Sequence, residues 1–267
     1  MIEKPARDEI ASQAVTRLGV LTPSSNTVLE PATMRLVQPL DGRLTVHFAR
    51  FRVTEINDSD ASDKQFALAP MLDAARLLGD AHVDAVLWAG TSGAWMGLDV
   101  DERLVTAIRE TTGVPATSAS LALVEALRAL RVRRYALIVP YVQPIVSAIE
   151  ETLAHAGFAC VGSEHDGLTV NTDFASVPVE VIAARARRLA RARPDALVIH
   201  STNLRGGEVA DRLESELSMP VLDSVAVGLW GAFQLIGLPA PAVGFGRLGT
   251  APTPTQWTDL EVDLAPR

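Results

Sequence analysis

The chain has 267 residues, of which 48% are hydrophobic, with a formal net charge of −8 and a pI of about 5.2. This length suffices for one large core or two moderate ones, and the acidic balance argues against a nucleic-acid partner, which requires a surplus of Lys and Arg. The single cysteine, Cys160, rules out an internal disulfide, and no apolar run approaches a membrane span. These features are typical of a soluble cytoplasmic protein.

The first half of the chain is predicted to alternate strands with helices. Residues 1–15 form a charged leader that lacks the apolar segment of a signal peptide. Strands are predicted at Leu18–Thr22, Leu44–Phe51, Ala85–Ala89 and Val114–Thr117. Helices are predicted up to Val37, at Phe66–Leu78, up to Thr111 and at Leu121–Leu130. Asp99 and Glu102 have the spacing of a capping box for the third helix, and Gly113 is expected to end it.

The same pattern restarts near residue 135. Strands are predicted at Tyr135–Val139, Phe158–Val161, Ala196–Ile199 and Met219–Leu222, and helices at 142–156, Val177–Ala192, Gly207–Leu217 and Val225–Leu235. The segment DAVLWAGTSG from Asp84 matches DALVIHSTNL from Asp195. Strands alternating with helices indicate an α/β fold with parallel sheets. The repeat predicts two duplicated Rossmann-like halves, residues 1–125 with 225–267 and residues 126–224, related by a pseudo-two-fold axis.

The ends of the two matching strands carry hydroxyl groups. Thr91 and Ser92 stand between Gly90 and Gly93, and these four residues form the first hydroxyl loop. The polar run Ser201-Thr202-Asn203 follows the second strand. In open α/β sheets, ligands bind at the carboxyl ends of the strands. Hydroxyls and backbone N–H groups there can bind a carboxylate or an enediolate. One such loop alone would be read as an ordinary turn, but its repetition favours a site in the cleft between the halves.

Other candidates lie at neighbouring strand ends. His200 is an acid/base candidate, but side chains alternate along a strand, so its ring is expected to face away from the cleft if Ser201 faces it. Tyr141 is predicted either to donate a hydrogen bond from its hydroxyl to a carboxylate or to be a half-buried aromatic residue. Asn171 is predicted to be either a substrate contact or a turn residue. The run from Pro23 to Asn26 precedes a helix whose free N–H groups favour an anion.

Several other features indicate no further chemistry. The histidines are His47, His82, His155, His165 and His200, and none pairs at a metal-ligand spacing. Neither a dinucleotide fingerprint nor a P-loop occurs. Cys160 is predicted to be a small buried residue, and the Arg185–Arg193 cluster a solvated helix face. Trp88 and Trp95 flank the first hydroxyl loop and either line a pocket or belong to the core.

Two groups of residues resemble a known superfamily. The run Pro23–Thr27 (PSSNT) and the run Ser201–Arg205 (STNLR) resemble the maleate cis-trans isomerase branch of the aspartate/glutamate racemase superfamily. The segments Gly90–Ser92, Arg128–Tyr141 and Gly244–Leu248 are similar to arylmalonate decarboxylase. The resemblance extends from about Arg17 to Leu248. It implies a duplicated α/β sandwich that uses neither a cofactor nor a metal.

The resemblance also assigns roles to residues. Thr91, Ser92, Tyr141 and Thr202 match the hydroxyl and backbone groups that bind a carboxylate in the decarboxylase, and Asn26 and Asn171 match polar substrate contacts of the isomerase. The racemases and isomerases carry a cysteine in each loop, where this chain has Gly90 and Ser201. Asp223 stands where the family has Ser and is either a general base or a helix cap, and Val225 replaces an Asn.

Together these observations predict a cofactor-independent enzyme that acts on a small carboxylate or dicarboxylate through an enediolate-like intermediate. Ser201, His200 or a bound water would supply the proton, which favours a lyase step such as decarboxylation. The alternatives are an isomerase or racemase without the usual thiols, a hydrolase that uses Ser201, and a carboxylate-binding protein without activity. The partner is a small carboxylate, and the oligomeric state is left open.

Overall fold

The computed structural model describes residues 15–252, and the predicted leader lies outside this range except for Val15. These residues form two parallel four-stranded sheets. The strand order is β2-β1-β3-β4 in the first sheet and β6-β5-β7-β8 in the second. Because both sheets repeat one order, the α/β fold with two similar halves that the repeat predicts is confirmed.

The first half contains strands β1 (Thr16–Pro23), β2 (Leu44–Phe51), β3 (Ala85–Trp88) and β4 (Ala116–Ser118). Its longer helices are α1 (Leu29–Val37), α2 (Leu68–Asp80), α3 (Leu98–Thr112) and α4 (Ala119–Ala129). Short helical segments occur at Gln38–Leu40, Asp60–Asp63, Lys64–Phe66 and Gly93–Met96. All four residues of β3 are buried, which is typical of a parallel strand covered on both faces.

The second half contains strands β5 (Arg134–Val139), β6 (Ala159–His165), β7 (Ala196–Ile199) and β8 (Val221–Asp223). Its longer helices are α5 (Gln143–His155), α6 (Val179–Leu189), α7 (Ala210–Leu217) and α8 (Ser224–Leu235). Short helical segments occur at Asn171–Phe174, Ala190–Ala192, Gly206–Glu208 and Gly246–Thr250. Within residues 15–252, no helix is long and apolar enough to cross a bilayer.

Helix α8 connects the two halves. It follows β8 of the second sheet but packs on β3, β4 and α4 of the first. Its residues from Ser224 to Phe233 are all buried, as expected for a helix that is apolar on every side. The division into residues 1–125 with 225–267 and residues 126–224 stays a prediction, and its two outer ends fall outside the described residues.

One local prediction is wrong. Helix α3 begins at Leu98, one residue before the predicted cap, and Gly97 occupies the N-cap position without a side-chain hydrogen bond. Asp99 therefore lies inside the first turn, and its carboxylate pairs with Arg103 at 2.6 Å instead of closing a capping box with Glu102. At the other end, Gly113 has φ 76° and ends the helix in the left-handed conformation, as predicted.

Candidate functional site

The predicted site residues converge where the carboxyl ends of the strands of the two sheets meet. None of their side chains is more than 4% exposed: Asn26, Thr91, Ser92, Tyr141, Asn171, His200, Ser201, Thr202 and Asn203. Pro23 ends β1, and Gly90 follows β3 in a buried turn. Polar groups buried to this extent need hydrogen-bond partners, so the partner of each group indicates its role.

Three hydroxyl groups come together from the two halves. Thr91 Oγ1 and the Tyr141 hydroxyl lie 2.9 Å apart, and Tyr141 also interacts with the Ser201 side chain. Burial raises the pKa of Tyr141, and the hydroxyls of Ser201 and Thr91 offset part of that rise. Tyr141 therefore stays protonated at neutral pH and can act as a hydrogen-bond donor. Ser92 follows Thr91, and its hydroxyl forms no side-chain hydrogen bond among the described residues.

A second group of polar side chains joins the halves to each other. The Asn26 amide donates from Nδ2 to Thr202 Oγ1 at 3.0 Å, and Thr202 Oγ1 donates to the Ala89 carbonyl at 3.0 Å. The one hydroxyl proton of Thr202 is thus used within the protein. The hydroxyl therefore has no proton to donate to a substrate, and only the backbone N–H of Thr202 is left for the predicted substrate contact.

Asn203 and Asn171 form a similar connection. Asn203 Oδ1 accepts hydrogen bonds from the backbone N–H groups of Thr27 and Val28, at 3.0 and 3.2 Å, and its Nδ2 donates to the Asn171 carbonyl. Asn171 Nδ2 donates to Ser25 Oγ at 2.7 Å. An antiparallel bridge between Glu55 and Val170 also joins the segment around Asn171 to the loop after β2. Asn203 thus positions the loops and has little capacity left for a ligand.

The start of α1 is not free to bind an anion, contrary to the sequence prediction. The backbone N–H groups of Val28 and Leu29 donate to Asn26 Oδ1 at 3.0 and 2.9 Å, and that of Thr27 donates to Asn203. Two asparagine side chains therefore occupy the donors that a ligand would need. Asn26 is close to these donors in the sequence, but no local sequence pattern predicts that Asn203 contacts them.

The ring of His200 lies against Ser224 of α8 and the backbone of the first hydroxyl loop, and its orientation away from the cleft stays a prediction. Its Nδ1 lies 3.3 Å from Ser224 Oγ, and the ring interacts with the backbone of Thr91. Burial lowers the pKa of His200 to about 4, so the ring is neutral at pH 7. His200 thus supports the first hydroxyl loop from behind. Its Nε2 is buried without a hydrogen bond of regular geometry.

Each glycine of the first hydroxyl loop is covered by another side chain. A Cβ atom at position 90 would lie 2.0 Å from Cζ2 of Trp88, and one at position 93 would lie 2.4 Å from Cγ of Asp101. Both positions therefore exclude any side chain while these neighbours stay in place. The indole of Trp88 fills the space that a cysteine at the first position would need. Asp101 was not a sequence candidate, because its place in the first turn of a helix gives no sign of burial.

Two further residues have structural roles. Asp223 Oδ1 accepts hydrogen bonds from Val225 and Ala226 at 3.0 and 3.3 Å, which identifies Asp223 as the cap of α8. Cys160 lies near the start of β6, paired with Tyr135, at the end of the sheet opposite to the site. Burial raises the pKa of the Cys160 thiol to about 11, so it is not a thiolate at neutral pH.

Comparison with known proteins shows which family the chain resembles. A family model described as arylmalonate decarboxylase matches residues 55–249. Arylmalonate decarboxylase of Bordetella bronchiseptica is 31% identical over 182 residues, which are 67% of this chain and 76% of that protein. Maleate isomerase of Nocardia farcinica is 27% identical over 243 residues, which are 88% of this chain and 95% of that protein.

A maleate cis-trans isomerase of Nocardia farcinica has been solved as a mutant with a covalently bound succinylcysteine intermediate. That structure is 28% identical, covers 88% of this chain and 98% of its own, and has a TM-score of 0.79. The resemblance to maleate isomerases and arylmalonate decarboxylases that the sequence predicts is confirmed. The chain belongs to the arylmalonate decarboxylase family.

Proposed function

We propose that this protein is a cofactor-independent enzyme that acts on a small carboxylate or dicarboxylate through an enediolate-like intermediate, in a lyase step such as decarboxylation. The observation that carries the proposal is the convergence of the Thr91, Tyr141 and Ser201 hydroxyls from both halves at one buried place. Ser92 adds a hydroxyl without a side-chain partner among the described residues. Such fixed donors stabilise negative charge strongly where water is scarce.

In this reaction the bond from the α-carbon to one carboxylate breaks and CO2 leaves. The electron pair stays on the substrate and forms the enediolate of the remaining carboxylate, which the hydroxyl groups bind. A proton is then transferred to the α-carbon. Ser201 is the proposed donor, because it contacts Tyr141, which is protonated at neutral pH and can pass its proton to the serine oxygen. A proton from solvent then restores Tyr141. His200 is a poor donor, since its ring is neutral at pH 7 and faces Ser224.

Isomerisation by thiol addition fits this chain less well. The Nocardia farcinica relative was solved with a succinylcysteine intermediate, which requires a cysteine at its reacting centre. This chain has one cysteine, Cys160, and it lies near the start of β6, at the end of the sheet opposite to the site. Trp88 also fills the side-chain space of the first cysteine position. We therefore favour decarboxylation over addition and elimination on maleate.

One observation favours a second candidate, a carboxylate-binding protein without turnover. Ser201 Oγ accepts a hydrogen bond from the Asn203 backbone at 3.3 Å and interacts with Tyr141. Among residues 15–252, no carboxylate or imidazole forms a hydrogen bond with it. A serine nucleophile needs such a base, so the hydrolase alternative has no support. A binding protein needs none.

Turnover assays separate these possibilities. Release of CO2 from phenylmalonate or methylmalonate supports a lyase, conversion of maleate into fumarate supports the isomerase, and binding of phenylacetate without any turnover supports the binding protein. Removing both hydroxyls, with Thr91→Ala and Ser92→Ala, should lower kcat/KM by about a hundredfold or more.

The control for this experiment is Thr106→Ala with Ser215→Ala, which removes two exposed hydroxyls that donate only within their own helices. Both double variants should keep nearly the melting temperature of the wild type. Wild-type turnover and affinity in the Thr91 and Ser92 variant would mean that the site lies elsewhere.

A further inference from the structure

One buried carboxyl group lies directly behind the first hydroxyl loop and has no role in the site described above. Asp101, in the first turn of α3, is 1% exposed. Its Cγ and Oδ2 atoms lie 2.4 Å, and its Oδ1 2.8 Å, from the place where a Cβ on Gly93 would be. The carboxyl group thus rests on the Cα of Gly93, and only a glycine permits this contact. Gly93 in turn directly follows Ser92.

The carboxyl group has no ion-pair partner. Among the described residues, neither of its oxygens forms a hydrogen bond of regular geometry, and the nearby Ser120 Oγ lacks one too. Ser118 and Ser120 are the hydroxyl neighbours, and Ser118 Oγ already accepts a hydrogen bond from Leu121 at 3.1 Å. An ionised carboxylate with no cation nearby and only these two hydroxyls as donors is unfavourable in such a place, whereas a protonated one can donate to a serine oxygen.

No other titratable group of the neighbouring elements offsets this charge. The short helix Gly93–Met96 and strand β4 contain no ionisable side chain. Helix α4 carries Glu125 and Arg128, which pair with each other at 2.6 Å, and helix α2 carries the exposed residues Asp73, Arg76 and Asp80. His200 faces the loop from the other half and is neutral above pH 6, since its pKa is about 4.

We propose that Asp101 is a positioning residue that couples the binding of a carboxylate at Thr91 and Ser92 to the uptake of one proton. This inference rests on the proposed function, because it takes the first hydroxyl loop as the carboxylate site. A negative charge on Asp101 and one on the ligand would lie on either side of Gly93 in a poorly hydrated region, where they repel each other strongly. The ligand therefore selects the protein with a neutral Asp101.

The consequence is a pH-dependent affinity with a defined direction. Burial raises the pKa of Asp101 to about 7, while Ser118 and Ser120 oppose the rise. Below that pH the carboxyl group is already neutral and binding takes up no proton. Above that pH, each further pH unit lowers the fraction of molecules with a protonated Asp101 about tenfold. The apparent Kd should therefore rise about tenfold per pH unit.

The test is titration calorimetry with phenylacetate, which stays ionised from about pH 6 to about pH 9. In the wild type, the Kd should rise across the upper part of this range. Measurements in two buffers of different ionisation enthalpy should show about one proton bound per ligand. Asp101→Asn, which keeps the shape but cannot ionise, should keep the low-pH Kd at all pH values and bind no proton.

The matched control is Asp99→Asn, two residues earlier on α3, where the carboxylate is exposed and pairs with Arg103. This variant should keep the pH dependence of the wild type. If the wild type binds phenylacetate with the same Kd at every pH, or if Asp101→Asn keeps the slope, the coupling is wrong although the carboxylate site stands. If the wild type binds no phenylacetate at any pH, both the site and the coupling are wrong.

Discussion

Asn26 Nδ2 donates a 3.0 Å hydrogen bond to Thr202 Oγ1, across 176 residues of sequence and from one half of the protein to the other. Thr202 Oγ1 in turn donates a hydrogen bond to the Ala89 carbonyl at 3.0 Å. This chain of bonds ties the loop after β1 to the loops after β3 and β7. The loops after β3 and β7 carry Thr91, Ser92 and Ser201 of the proposed site, so its geometry depends on contacts that do not touch the ligand.

Thr202→Val should therefore destabilise the protein. The substitution keeps the shape of the side chain but leaves the Asn26 amide and the Ala89 carbonyl without a partner in a buried place. The free energy of unfolding should fall by about 2 kcal/mol, measured by urea denaturation. Thr33→Val is the matched control, because Thr33 is 0% exposed and its hydroxyl has no partner among the described residues. That variant should be neutral or more stable, and equal losses in the two variants would contradict the argument.

Ser201→Ala should lower turnover and leave ligand binding intact, since Ser201 is proposed to donate a proton to the α-carbon after CO2 has left. We expect kcat on the active substrate to fall about a hundredfold, with the Kd for phenylacetate unchanged. A lower affinity with wild-type kcat would assign Ser201 to carboxylate binding instead.

Ser201→Cys, made in a Cys160→Ser background, should raise kcat above that of the parent, because a thiol is a much stronger acid than an alcohol. The Cys160→Ser parent is the control and should keep most wild-type turnover, as Cys160 lies at the opposite end of the sheet. A large loss in this folded parent would show that Cys160 has a role at the site.

A cysteine at position 90 should not be accepted unless Trp88 is also changed. Its Cβ would overlap the indole of Trp88 at 2.0 Å, so Gly90→Cys should lower the free energy of unfolding by about 3 kcal/mol. In a Trp88→Leu background the same substitution should cost about 2 kcal/mol less. Urea denaturation of all four proteins measures this coupling, and an equal cost in both backgrounds would refute the steric explanation.

Asp223 should make stability depend on pH without affecting the chemistry. Burial raises its pKa to about 6 in the folded protein, against an ordinary value of 3.8. Between these values the folded state holds a proton that the unfolded state has released. The unfolding free energy therefore falls as pH rises from about 4 to about 6, by up to about 3 kcal/mol. Below about pH 4 both states are protonated and the contribution vanishes.

Asp223→Asn keeps the cap of α8 and cannot ionise, so it should become more stable than the wild type across this pH window and keep wild-type turnover. Asp223→Ser, which retains an oxygen to accept from Val225 or Ala226, should behave similarly. Thermal denaturation at pH values on both sides of the window checks the first expectation. A loss of kcat in both variants would instead make Asp223 a base.

The sequence by itself determined the architecture of this protein. Strands Leu44–Phe51 and Ala196–Ile199 were predicted at the residues where they occur, and the matching segments from Asp84 and Asp195 predicted the repeated half. Apolar runs and helical periodicity are local patterns, and they indicate an element wherever burial of that element dominates its free energy.

Only the tertiary structure decided what each polar group in the site can do. The hydroxyl of Thr202 and the amide of Asn203 look like ligand contacts in the sequence, but their partners lie 32 to 176 residues away and use most of their hydrogen-bonding capacity. In the sequence, Asp101 is an ordinary acidic residue of a first helical turn, and its contact with Gly93 exists only in the folded chain. Hydrogen bonds act over about 3 Å and depend on direction, so the packing of distant segments decides which donors stay available to a ligand.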